Sequence, residues 1–100
     1  MAVAIRTTDF PEGAGTTMYD GVQAALDVPN NPIEGLIFHW AGEVDGEWTL
    51  TDVWETPEAY ERFREQRLFP AIQKVSGMDP ADGPQPTISV FPVHDYYMKP

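Results

Sequence analysis

The sequence predicts an α+β fold in one domain, with elements in the order βαββαβ and two helices on one face of an antiparallel sheet. Three observations carry this. Residues 35–55 hold two strand-like runs split by Asp45-Gly46, a pair suited to a two-residue hairpin turn because Gly tolerates the positive φ it demands. Thr56-Pro57-Glu58 follows at once and opens a helix: a Thr cap, a Pro at the first helical position, and an acid near the positive helix end. One strand pattern and one helix pattern precede the hairpin, and a strand pattern closes the chain.

Taken in order, Ala2 to Asp9 alternates small and branched residues and reads as the first strand. Thr16 or Thr17 is the expected cap of a helix whose Met18, Tyr19, Val22, Ala25 and Leu26 recur at helical spacing. Pro29-Asn30-Asn31-Pro32 ends that helix. Gly35 to Val44 and Glu47 to Glu55 are the hairpin strands. The second helix places Ala59, Tyr60 and Phe63 on one side, and Pro70 should kink or restart it before Ile72 and Val75. Asp79 to Pro86 reads as a loop, and Thr87 to His94 as the last strand. This is the ferredoxin-like split βαβ pattern, which leaves one sheet face uncovered.

One domain fits 100 residues, and a core this small makes self-association a natural way to cover more surface. Six basic residues against sixteen acidic ones give a formal net charge of −10. Nucleic acid and anionic membrane both require clustered Lys and Arg, so neither is expected as a partner. The chain has no cysteine, which removes disulfides, thiolate nucleophiles and Cys-based metal sites. The N-terminal apolar run is too short for a signal core or a membrane span, and a cytoplasmic location is expected.

Counting back from Asp45-Gly46 pairs Ala41 with Leu50, His39 with Asp52, and Ile37 with Trp54. Strand alternation then places Ile37, His39, Ala41, Leu50, Asp52 and Trp54 on one face, with Glu43 and Trp48 near the turn. Leu36, Phe38, Trp40 and Val53 fall on the other, the face expected to lie under the helices. On this reading His39 and Asp52 sit on the open face, among the apolar walls of a ligand cavity. A one-residue bulge near Gly42 would break that pairing.

Gly35-Leu36-Ile37-Phe38-His39, Asp52-Val53-Trp54-Glu55 leading into Pro57-Glu58-Ala59-Tyr60-Glu61-Arg62-Phe63, and Val90-Phe91-Pro92-Val93-His94 resemble small bacterial proteins of the dimeric α+β barrel superfamily. Within it the chain is most similar to antibiotic-biosynthesis-monooxygenase-like proteins. The resemblance implies a homodimer packed sheet to sheet, with a pocket on each protomer's open face. It also implies cofactor-free chemistry on an aromatic or polyketide-like molecule, although the superfamily includes isomerases and haem-degrading enzymes as well.

His39 is the candidate general base or acid, and Asp52 its orienter; the alternative is a cross-strand pair that only holds the sheet. Trp54 is a candidate stacking wall, with Ile37, Leu50 and Trp48 beside it, or else a core residue. Tyr96 could donate to a substrate carbonyl, while the His94-Asp95-Tyr96-Tyr97 tail could equally sit at a dimer interface. Arg62, Arg64 and Arg67 among Glu58, Glu61 and Glu65 read as a solvated helix face. No metal site is read, because His39 and His94 are too far apart to form a ligand-spaced motif. No cofactor is expected, and no phosphate loop or dinucleotide fingerprint occurs. A non-catalytic binding protein of the same fold is the competing reading.

Overall fold

The computed structural model describes residues 2–11 and 15–99; residues 1, 12–14 and 100 of the expected 1–100 domain lie outside the described residues. Four strands, β1 (Val3–Thr8), β2 (Leu36–Val44), β3 (Glu47–Trp54) and β4 (Thr87–Pro92), form one antiparallel sheet in the order β2-β3-β1-β4. Helix α1 (Thr16–Leu26) links β1 to β2. Between β3 and β4 run α2 (Pro57–Phe63), a π-helical segment (Arg64–Leu68) and α3 (Phe69–Ser76). The ferredoxin-like α+β arrangement is the one observed.

Local chemistry accounts for most boundaries. Asp45 and Gly46 both have positive φ, 51° and 81°, as a primed turn requires, and they set Val44 opposite Glu47. The Thr56 hydroxyl accepts the N–H of Ala59 at 3.1 Å and caps α2. Neither Thr16 nor Thr17 caps α1; that position belongs to Gly15, which offers no side-chain bond. Pro70 cannot donate to the carbonyl of Gln66, and its ring crowds that carbonyl, so the helix widens into π turns just before it. Arg67, expected on a solvated face, instead reaches back to the end of α1. Its guanidinium donates to the carbonyls of Leu26, Asn31 and Pro32 at 3.2, 2.8 and 3.0 Å.

The helices lie on the face opposite to the one expected. Ile5 and Trp54 pack with Ala59 and Tyr60 of α2 in one buried cluster, with Val3, Leu36 and Phe63 around it. Val22 and Leu26 of α1 meet Ala71 of α3 in a second. Register places Val3, Ile5, Asp52, Trp54 and His39 on this same, helix-covered face. A bulge interrupts β2 at Ile37. Leu36 pairs with Trp54 and Phe38 with Val53, so Leu36 takes the place expected for Ile37 and joins the apolar platform. Past the bulge, His39 opposes Asp52 and Ala41 opposes Leu50, as counted from the turn. The open face carries Phe38, Trp40, Val53, Ala4, Arg6 and Phe91, with Phe38 and Phe91 each 46% exposed.

Candidate functional site

His39 and Asp52 meet across the β2–β3 ladder. His39 Nδ1 lies in hydrogen-bond contact with Asp52 Oδ1. The other ring nitrogen, Nε2, lies 2.6 Å from the hydroxyl of Tyr19 in the first turns of α1. Three elements therefore contribute to one hydrogen-bonded chain, Tyr19–His39–Asp52.

The donors follow from what each group can offer. An ionised carboxylate only accepts, so Nδ1 carries the proton and donates to Asp52. A neutral imidazole then presents a lone pair at Nε2, which accepts the Tyr19 O–H. Burial pushes the Tyr19 phenol above its ordinary value, and the negative charges of Asp52 and Asp20 push it the same way. Tyr19 thus rests as a neutral phenol. Its ring lies nearly parallel to the imidazole, 12° and 6.0 Å apart, and meets Trp48 edge-on at 5.5 Å. The pair is not sealed: the side chains of His39 and Asp52 are 28% and 19% exposed.

The other expected site residues divide. Trp48 and Leu50 lie on the same sheet face as the dyad, and Trp48 touches Tyr19. Trp54 is corrected from stacking wall to core: it is fully buried, with Tyr60 and Phe63 centred 5.8 and 5.4 Å away. No surface of its indole is left for a ligand. Ile37 is displaced from the Trp54 pairing by the bulge. Tyr96 lies in the exposed tail beyond β4, bonded through its N–H to Asp95, and does not join the dyad. Exposed His94 precedes it.

Tyr19 is the residue that the sequence reading missed. In the sequence it falls within the apolar stripe of α1. The available signal was its hydroxyl: a phenol on the inward face of a helix needs a polar partner, and a strand His offers one. Beside the chain, a depression of about 400 Å³ is walled by Phe10, Pro11 and Trp48. Gly15, at its edge, is one helical turn from Tyr19, whose N–H donates to the Gly15 carbonyl at 3.0 Å.

No family model matches the chain, and no curated protein matches it. Solved structures do share its fold. A candidate antibiotic biosynthesis monooxygenase from Chloroflexus aurantiacus J-10-fl superposes with a TM-score of 0.58 at 13% identity, over 99% of this chain and 100% of that one. A variant of SnoaB, a cofactor-independent oxygenase from Streptomyces nogalater, gives 0.55 at 14% identity, over 98% and 96%. The heme-degrading protein Rv3592 of Mycobacterium tuberculosis gives 0.57 at 18% identity, over 98% and 100%. The chain therefore has the fold of antibiotic-biosynthesis-monooxygenase-like proteins. At these identities the likeness speaks for fold alone.

The heme-degrading neighbour makes haem a group to test against the residues present. An axial histidine needs a free ring nitrogen. Both nitrogens of His39 are engaged, by Asp52 and Tyr19, and His94 stands exposed in the tail. In this arrangement His39 offers no free nitrogen for an axial bond.

Proposed function

We propose that the chain is a small-molecule enzyme working by proton transfer, without a cofactor, on an aromatic or polyketide-like compound. The observation that supports it most is the engagement of both His39 nitrogens: Asp52 fixes the tautomer on one side, and the other is left basic toward Tyr19. A proton taken from a substrate would end on His39, where the adjacent carboxylate stabilises the imidazolium. The substrate anion would then react with dioxygen as oxidant, close a ring, or be reprotonated elsewhere. One fold neighbour, SnoaB, is a cofactor-independent oxygenase.

The same reading takes the protein as a homodimer. The open sheet face exposes Phe38 and Phe91 around Trp40 and Val53, an apolar surface that a second copy would cover. The dyad lies on the opposite face, so each protomer keeps its own site. Size-exclusion chromatography with light scattering should give twice the chain mass, and a monomer at all concentrations would remove this part.

The catalytic reading is tested with a panel of polycyclic phenols, following substrate loss and oxygen uptake. Turnover that His39→Ala and Asp52→Asn abolish, in folded variants, is the expected result. No turnover of any compound by wild type leaves the binding protein as the better reading.

A further inference from the structure

Each nitrogen of His39 already has a partner. A substrate arriving at the dyad therefore finds no free ring nitrogen. The next atom outward is the Tyr19 oxygen. It has one proton, donated to His39, and retains acceptor capacity for a second donor. Tyr19 is also the member of the chain that touches Trp48, which walls the neighbouring depression.

We infer that Tyr19, rather than His39, is the catalytic group that meets the phenolic hydroxyl of the substrate. This rests on the proton-transfer reading and names its contact atom. The step balances without a co-reactant. The substrate O–H breaks, and its proton forms a new bond to the Tyr19 oxygen. The original Tyr19 proton moves to His39 Nε2 along the 2.6 Å hydrogen bond. The electron pair stays on the substrate as phenolate, and imidazolium faces the Asp52 carboxylate. Tyr19 is never a free phenolate, which agrees with an environment that disfavours its ionised form.

The surroundings select for a neutral phenol. Asp20 and Asp52 both act on Tyr19, and the chain carries −10 overall, so a substrate that arrives as an anion is repelled. Among the described residues the ion-pair contact of Asp52 is with His39. The aromatic edges of Trp48 and Tyr19 suit a planar ring.

The test uses 4-nitrophenol, whose absorbance separates phenol from phenolate, at a pH below its own midpoint. Wild type should bind it and raise the ionised fraction of the bound probe. Tyr19→Phe, which keeps the ring against Trp48, should lower the bound phenolate-to-phenol ratio by about tenfold or more, a shift of one pH unit in the probe's midpoint. Imidazole ¹⁵N spectra of Tyr19→Phe should still show the Nδ1–H tautomer, which certifies that the Asp52–His39 pair is intact. Equal or greater ionisation in Tyr19→Phe would overturn the inference, since an uncovered His39 then takes the proton directly, while the acid–base reading survives. Failure of wild type to bind or ionise the probe also overturns the inference, and the polycyclic-phenol panel then decides the acid–base reading separately.

Discussion

Gly35→Ala should be among the most costly single-methyl changes in this protein, and its cost should depend on one other residue. Gly35 has φ of +83°, where a Cβ costs roughly 1–2 kcal/mol. The added carbon would also sit 2.5 Å from the Cβ of Ala59, which is 3% exposed on α2, with the Trp54 ring 4.0 Å away. Atoms of this kind rest near 3.5–4.0 Å, so α2 must lift from the start of β2. Overpacking of this sort typically adds about 1–3 kcal/mol. The expected total is about 2–5 kcal/mol, measured by urea denaturation with circular dichroism. The decisive comparison is a cycle with Ala59→Gly, which removes the opposing methyl but leaves the φ strain. The double variant should be less destabilised than the sum of the singles by about 1–3 kcal/mol. Additivity within about 0.5 kcal/mol would refute the contact, and with it the close seating of α2 against the start of β2.

His39→Ala should cost about 1–2 kcal/mol by the same assay: it strips both Asp52 and Tyr19 of a partner, but water reaches the partly exposed pair and moderates the loss. A cost under about 0.3 kcal/mol would mean that the chain does not tie α1 to the sheet. Trp54→Ala should lose about 3–5 kcal/mol, or unfold the protein, because the indole is fully buried against Tyr60 and Phe63; a loss near 1 kcal/mol would return Trp54 to the surface as a ligand wall. Alkaline pH should destabilise the fold. Burial first, with the nearby carboxylates of Asp52 and Asp20 for Tyr19, raises both Tyr19 and Tyr60 above 10.0, although Arg64 pulls Tyr60 the other way. Raised folded values favour the neutral phenols, so this stability is whole below the unfolded value and disappears as pH climbs through the folded ones. Urea midpoints from pH 8 upward should fall less in Tyr60→Phe than in wild type, and parallel curves would exclude this source.

The sequence by itself determined what depends on neighbours along the chain. Asp45-Gly46 set the turn, and the turn fixed His39 opposite Asp52 by counting alone. Thr56-Pro57 started α2, and Pro70 forced the helix to adjust. From these came the element order and the ferredoxin-like class. Tertiary structure decided what depends on comparing energies across elements. Hairpin alternation defines two faces without saying which lies under the helices. The helices cover the face that carries Val3, Ile5, Leu36 and Trp54, where Ile5 and Trp54 pack with Ala59 and Tyr60 of α2. Tyr19 met His39 only because α1 crosses that face, a contact between residues twenty positions apart that no local pattern encodes. The same crossing puts the candidate site on the helix side of the sheet and sets the Tyr19 phenol against the His39 imidazole.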